Sequence, residues 1–174
     1  KLKCALHSLL DKDIRIEKIT SVSQNFHARF SAIKKSYVYS IYLDRAPPNE
    51  EAFMWACRDT PIDLQSMQVA SQYFIGQHDF TSFSAVHAKD KDPDPVKKIH
   101  SLELKQNGRK ITITITGSGF LYKMARSIVG TLYAVGRHRL NPEDVLNILH
   151  AKKRINKIVT APASGLSLKK IFYK

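Results

Sequence analysis

The feature that most limits how this chain can fold is an Asn-Gly dipeptide at residues 107–108, between two segments of high β-propensity. Asn-Gly is the preferred pair for a type I′ turn in a two-residue β-hairpin. The flanking segments, residues 99–106 and 110–116, therefore predict paired antiparallel strands. In the second segment isoleucines alternate with threonines, which predicts a buried face made of Ile111, Ile113 and Ile115.

The segment after the hairpin, residues 117–137, has the apolar spacing of an amphipathic helix. Arg126 lies beside the apolar stripe, where an arginine either extends its charged head to solvent or serves a site. Gly130 and Gly136 each cost about 1 kcal/mol relative to alanine in a helix interior, which indicates that another group approaches this end closely. The stripe consists of Leu121, Met124, Ala125, Ile128, Val129 and Leu132.

Weaker patterns predict the remaining elements. Alternation and β-propensity favour strands, and a capping side chain before an apolar 3.6-residue repeat favours a helix. A charged segment rich in proline, residues 89–95, predicts a mobile loop. The predicted strands are residues 14–22, 37–43, 52–56 and 166–173. The predicted helices are residues 1–10, residues 64–75 with an Asp63 cap, and a segment that starts at Asn141 and Pro142.

Charge and length limit the kinds of function. The 28 Lys and Arg exceed the 15 Asp and Glu, and the formal charge of +13 favours a polyanionic partner such as nucleic acid. A length of 174 residues fits a single domain over residues 1–174. No apolar run approaches the roughly 20 residues that span a bilayer, and the start has no signal pattern, so we expect an intracellular protein without a membrane partner. Cys4 and Cys57 indicate free thiols, and no metal site is expected.

Four stretches along the chain form a recognisable set. They are Phe26–Ala32 with Lys35–Tyr39, then Gly76–Phe83, Gly119–Gly130 and Thr160–Leu166. In this order they resemble the TruA-type tRNA pseudouridine synthases, and the resemblance covers nearly the whole chain. It implies an α+β fold, the C-terminal part of the pseudouridine synthase fold, with a mixed, mostly antiparallel sheet flanked by helices. It also implies isomerisation of uridine in the tRNA anticodon stem-loop without a cofactor, by a cytoplasmic or organellar homodimer.

The resemblance assigns roles to three residues. Tyr37 matches the active-site tyrosine, Arg126 the basic residue that pairs with the family's catalytic aspartate, and Leu166 the apolar residue that lines the base pocket. The residue types suit this chemistry, because an aromatic ring can stack on a flipped base, a guanidinium can keep a carboxylate ionised, and a leucine excludes water. Without the family pattern, Tyr37 would be interpreted as a core tyrosine of a strand.

The catalytic aspartate of the family has no counterpart in this sequence. The family carries it in a Gly-Arg-Thr-Asp-Ala-Gly stretch upstream of the matching region, and nothing here resembles that stretch. Asp79 matches a different position and is interpreted as a loop-ordering residue. We therefore expect a fragment of a longer synthase that is inactive alone. The alternative is a non-catalytic RNA-binding or dimerisation module of the same fold.

Several basic side chains are expected to contact RNA. His27 is expected to position its own connector or to contact phosphate, since the family chemistry needs no imidazole. A further strip at helix ends is either phosphate-binding or a solvated face. The predicted RNA-binding residues are His27, Arg29, Lys97, Lys123 and Arg137. The strip comprises Lys123, Arg137, Arg139, Lys152, Lys153 and Arg154.

Overall fold

The computed structural model describes residues 2–57, 61–85 and 94–174. Most of the loop predicted at residues 89–95 therefore lies outside the described residues. The chain divides into two compact units, one that ends at Ser31 and one that begins at Ala32. The single domain predicted over residues 1–174 stays a prediction. Among the described residues, no helix is both long enough and apolar enough to cross a membrane.

The first unit contains one helix, α1, over Leu2–Leu9, which confirms the helix predicted at this end. The strand predicted at residues 14–22 is wrong, because these residues form no strand pairing. Ile14, Ile19 and Val22 are exposed and Ile16 is half-buried, so the alternating pattern buries no core face. The Ile16 N–H donates to Nε2 of His7 at 2.8 Å, which satisfies the backbone without a neighbouring strand.

The second unit is a six-stranded sheet with helices, and it confirms the predicted fold class. The strand order is β2-β1-β5-β4-β3, with β6 also paired to β1. Among the strands of the described residues, only β1 and β2 pair in parallel. The strands are β1 Ala32–Tyr42, β2 Trp55–Ala56, β3 Gly76–Asp79, β4 Val96–Asn107, β5 Lys110–Gly117 and β6 Leu166–Tyr173. The helices are α2 Leu64–Gln72, α3 Met124–Gly136 and α4 Asp144–His150.

The predicted hairpin is confirmed as β4 and β5, but its turn is displaced by one residue. Asn107 pairs with Lys110, so Gly108 and Arg109 occupy the two central positions. Gly108 has a φ of 56° and Arg109 has no positive φ. A type I′ turn needs positive φ at both positions, so that prediction is wrong, and glycine at the first central position is typical of type II′.

The core lies between one face of the sheet and helices α2 and α3. Ile111, Ile113 and Ile115 are at most 1% exposed, as the alternation predicts. Full burial of each such side chain contributes roughly 1.5–3 kcal/mol. The helix predicted over residues 117–137 begins only at Met124. Lys123 has a φ of 57°, and this left-handed backbone keeps the helix from extending back through residues 117–122.

The two predicted helix caps have different outcomes. Asp63 is confirmed, since its Oδ1 accepts the Ser66 N–H at 3.0 Å at the start of α2. The Asn141 cap is wrong, because α4 begins at Asp144. Here the relation is reversed, with the Asn141 N–H donating to Oδ2 of Asp144 at 2.8 Å. Pro142 and the next residue form a turn, so the helix begins only after them.

Candidate active site

Three segments of the second unit meet at the predicted site. Strand β1 carries Tyr37 and Tyr39, helix α3 carries Arg126, and residues 158–166 form the connection into β6. In the β1–β6 register Tyr39 lies opposite Leu166. The connection also exchanges hydrogen bonds with α3 at Arg126. The elements that carry the three predicted site residues are therefore joined directly to one another.

Arg126 is fixed at both its backbone and its side chain. Its Nε donates to the Ala161 carbonyl at 2.6 Å, and its own carbonyl accepts the Ala161 N–H at 3.1 Å. The residue is half-buried and fixed through Nε, and the role of its Nη groups in a site stays a prediction. Within the described part of the chain, its Nη groups have no hydrogen-bonding or acidic partner. A planar guanidinium held in this way can offer two parallel donors to an anion.

Tyr39 connects β1 to the same segment. Its ring is fully buried, and its hydroxyl donates to the Pro162 carbonyl at 2.8 Å. Burial raises the pKa of the Tyr39 phenol well above its ordinary value, and the nearby Arg126 guanidinium opposes this rise. Tyr39 is thus a neutral hydrogen-bond donor that holds the connection beside Arg126.

A glycine makes this packing possible. A Cβ on Gly165 would lie 2.6 Å from two atoms of the Tyr39 ring and 2.8 Å from the Ser40 carbonyl oxygen. The Gly165 carbonyl also accepts the Ser40 N–H at 2.9 Å. Any side chain at this position would separate the connection from β1, which explains the Ser-Gly-Leu sequence at the start of β6.

Tyr37 lies two residues before Tyr39, at a half-buried position of β1. Its ring meets the Phe120 ring edge to face, with centroids 4.9 Å apart and planes at 86°. This geometry is favourable for an aromatic pair. The Tyr37 hydroxyl has no hydrogen-bond partner among the described residues. The ring is therefore fixed by packing while its polar end stays available.

Leu166 is the first residue of β6 and packs at the edge of the hydrophobic core. Its N–H donates to the Ala163 carbonyl at 3.0 Å, which closes the turn that precedes the strand. It is partly buried against the core and lies opposite Tyr39, so it presents an apolar surface there. This placement agrees with an apolar lining residue.

The predicted RNA-binding residues of the second unit lie on different elements. Lys97 of β4 is only 14% exposed at its side chain and pairs with Asp94 Oδ2 at 3.0 Å. The Nζ of Lys123 lies 5.0 Å from the ring centroid of Tyr122. Arg137 ends α3 and helps to lower the pKa of the Cys57 thiol, which burial raises. Lys97 is thus engaged with protein, whereas Lys123 and Arg137 have no acidic partner in the described ranges.

The two predicted RNA-binding residues of the first unit form a local motif. His27 Nδ1 accepts the N–H groups of Arg29 and Phe30 at 3.1 and 3.2 Å. The Arg29 guanidinium lies 5.6 Å from the Phe30 ring centroid. His27 therefore positions its own connector, which is one of the two roles expected for it. RNA contact by this pair stays a prediction.

Two polar residues have structural roles. Asp79 Oδ1 accepts both the N–H and the hydroxyl of Thr81, at 2.9 and 2.6 Å, which agrees with a loop-ordering residue. Arg154, expected in a phosphate strip, instead donates to four protein oxygens from three parts of the unit. These acceptors are the carbonyls of Ser84 and Ile158 and the hydroxyls of Ser127 and Thr160.

Sequence reasoning assigned no role to Tyr39 or Phe120, and it placed Arg154 only in the basic strip. Tyr39 shares one face of β1 with Tyr37, so strand alternation alone could have placed it beside the site. Phe120 stands in one of the family-like stretches, but nothing local pairs it with Tyr37. The contacts of Arg154 reach residues as far as 70 positions away, and no local pattern indicates them.

Replacing Tyr39 with phenylalanine is expected to lower the free energy of unfolding by about 1 kcal/mol near neutral pH, since one hydrogen bond is lost. Because the folded-state pKa of Tyr39 is raised, unfolding releases its proton above pH ~10, and the wild-type protein loses stability there as the pH rises. The Phe variant lacks this loss, so the two stabilities should converge. Urea unfolding at pH 7 and between pH 9 and 11 measures both, and parallel pH profiles would contradict the expectation.

Comparison with known proteins identifies the class. Residues 70–174 match the family described as tRNA pseudouridine synthase. The chain belongs to this family, and its resemblance to the TruA-type synthases is confirmed.

Individual relatives are similar over almost the whole chain. The tRNA pseudouridine synthase A of Bacillus licheniformis is 41% identical over 97% of this chain and 68% of its own length. That of Bacillus subtilis is 39% identical over the same shares. The tRNA pseudouridine synthase A 1 of Protochlamydia amoebophila is 37% identical over 100% of this chain and 68% of its own length.

Proposed function

We propose that this chain forms part of a synthase that isomerises uridine to pseudouridine in the anticodon stem-loop of tRNA. In this reaction the glycosidic bond between C1′ and N1 breaks, C1′ bonds to C5, the C5 proton is released, and N1 gains a proton. The chain's own residues bind and orient the base. Tyr37 supplies an aromatic face, Leu166 excludes water, and Arg126 holds the catalytic carboxylate in its ionised form.

The observation that supports this proposal most directly concerns the hydrogen bonds of the Arg126 guanidinium. Its Nε is fixed on the Ala161 carbonyl, while no acid pairs with its Nη groups in the described ranges. A half-buried cation without an acidic partner favours an anion in contact with it. A carboxylate fits, because the fork of the guanidinium matches its two oxygens.

We further propose that the 174-residue chain alone does not isomerise uridine. No acid pairs with Arg126 among the described residues, and three acids of the second unit have other basic partners: Asp44 pairs with Arg109, Glu50 with Lys110 and Asp94 with Lys97. Asp79 is occupied by Thr81. A reaction that needs a carboxylate on Arg126 therefore depends on a residue that these pairs do not supply.

The test is tritium release from tRNA labelled at C5 of uridine. We expect release with the full-length gene product and no release, above the level of a buffer control, with the 174-residue chain. Transcripts with single uridine-to-cytidine changes in the anticodon stem-loop should lose the corresponding release. A filter-binding assay with the same tRNA shows whether an inactive chain still binds.

Each contrary outcome has a definite meaning. Release by the 174-residue chain would refute the dependence on a further carboxylate. Release from uridines outside the anticodon stem-loop would refute the proposed target. Binding without any release by the full-length product would favour the non-catalytic RNA-binding module.

The family resemblance also supports a homodimer and a cytoplasmic location as proposals. RNA contact by Lys123 and Arg137 is proposed from their exposed or half-buried heads at the two ends of α3. Light scattering coupled to gel filtration distinguishes a dimer from a monomer. A monomer at micromolar concentration would contradict the proposed dimer.

A further inference from the structure

A pocket of about 370 Å³ opens beside the C-terminal half of α3, and none of the proposed site residues lines it. Its volume lies within the range of small-molecule sites, roughly 300–1,000 Å³. Gly130, Ala134 and Leu140 form its buried floor, and Val159 forms one side. The pocket is therefore distinct from the surroundings of Tyr37, Arg126 and Leu166.

Two aromatic rings line the pocket. Trp55 and Tyr133 lie with ring centroids 4.3 Å apart and planes inclined by 47°. Trp55 also meets Tyr39 edge to face at 6.3 Å, and Tyr133 is hydrogen-bonded to the Cys57 thiol. Both rings are half-buried, so they are fixed by the protein and still reach the pocket. Fixed aromatic surfaces of this kind are favourable for stacking a nucleobase.

The rim of the pocket is basic and polar. Arg139 and Lys157 line it, and both side chains are exposed. Neither side chain has an acidic partner within the described part of the chain. Asn156 also lines the pocket, and its amide offers both a donor and an acceptor. The pocket thus combines an apolar aromatic interior with two cations, which suits an aromatic ligand that carries negative charge.

The pocket and the proposed active site share one wall. The Val159 carbonyl oxygen lies against Gly130 of α3, and Ala161, two residues later, binds Arg126. A ligand in the pocket would therefore contact the segment that holds Arg126. The pocket therefore lies next to the proposed active site rather than at a remote surface.

We propose that this pocket binds a second, unstacked nucleotide of the RNA substrate. Its base lies against Trp55 and Tyr133, and its phosphate is held by Arg139 and Lys157. Asn156 contacts the edge of the base. The inference rests on the proposed function in that the ligand belongs to the same RNA, but the binding itself needs no catalysis.

Trp55 provides the measurement, because it is the only tryptophan of the sequence. Its fluorescence, excited at a wavelength that nucleotides do not absorb, is recorded during titration with five-nucleotide oligo(A) and oligo(U), AMP, UMP, adenosine and inorganic phosphate. We expect saturable quenching by the oligonucleotides and mononucleotides. Adenosine should bind more weakly than AMP, and phosphate alone should not quench.

Substitutions that each remove one positive charge test whether Arg139 and Lys157 hold the phosphate. Arg139→Gln and Lys157→Gln should each weaken binding of the quenching nucleotide roughly tenfold, since each removes a charge-assisted hydrogen bond. Lys169→Gln on β6 removes the same charge outside the lining of this pocket and should leave the affinity within twofold. All three side chains are exposed, so these changes leave the fold intact.

Two outcomes would overturn the proposal. One is that neither oligonucleotide quenches the Trp55 fluorescence in a saturable way. The other is equal weakening by Lys169→Gln, which would mean that bulk charge alone attracts the RNA. Tritium release is measured separately, so a failure of this pocket leaves the proposed isomerisation testable, and a failure of catalysis leaves the binding result standing.

Discussion

The full-length synthase with Arg126→Ala is expected to lose roughly 10³-fold in kcat while its KM for tRNA changes little. Removing a preorganised charge from a site typically lowers kcat by about 10²–10³-fold. In the proposed function, the carboxylate that pairs with Arg126 would also lose the cation that keeps it ionised, so the loss should reach the upper end of this range. Steady-state tritium release measures kcat and KM, and single-turnover release measures the rate constant of the isomerisation step without a contribution from product release.

The control is Arg109→Ala in the hairpin turn, which removes the same side chain from an exposed pair with Asp44. This variant should keep kcat within about twofold, since an exposed ion pair contributes about 0–1 kcal/mol. Arg126→Lys keeps the charge but loses the fixed fork, and should fall between the other two variants. A tenfold loss or less with Arg126→Ala, or an equal loss with Arg109→Ala, would refute the proposed role.

Substituting Gly130 with alanine is expected to destabilise the fold by about 3 kcal/mol or more. The new Cβ would lie 2.0 Å from the Val159 carbonyl oxygen and 2.8 Å from its carbon. Both atoms belong to the backbone, so relief requires the whole connection to move away from α3. Overpacking of this kind costs about 1–3 kcal/mol, and more when the obstacle is backbone. Urea unfolding of the 174-residue chain measures the change.

Gly119→Ala is the matched control for this substitution. Its added Cβ would lie 3.4 Å from the Cδ atom of Lys97, an ordinary contact with a flexible side chain. The expected change in unfolding free energy is within about 0.5 kcal/mol. If the two alanine variants were equally stable, the close approach of Val159 to α3 would be contradicted.

Sequence patterns over a few residues correctly predicted the elements whose formation depends on neighbouring residues. The Asn-Gly signal and the Ile–Thr alternation gave the hairpin, and the spacing of apolar residues gave the buried face of α3. The patterns failed where the formation or the start of an element depends on more than the apolar spacing of its own residues. The strand expected at residues 14–22 has suitable propensities but no strand beside it. The start of α3 depends on the left-handed backbone of Lys123, which the apolar spacing does not reveal.

The candidate site likewise has some features that local patterns predicted and others that depend on residues distant in the sequence. The helical spacing placed Arg126 beside the stripe, and two glycines indicated a close approach at the end of α3. Gly130 confirms that approach, with the Val159 carbonyl as the group concerned. The hydrogen bond from Tyr39 to Pro162 spans 123 positions, so only the folded chain brings these groups together. The roles of Tyr37 and Leu166 came from the family resemblance and stay predictions.

Arg154 affects how many phosphate contacts should be expected from the number of basic residues. Its guanidinium is committed to four oxygens that carry no formal charge, and burial lowers its pKa. A phosphate would have to compete with these four oxygens for the Arg154 donors, so we expect this residue to contribute less to RNA binding, and to release fewer condensed counterions, than its share of the formal charge of +13 suggests. The salt dependence of RNA affinity therefore reports fewer contacts than the number of basic residues suggests.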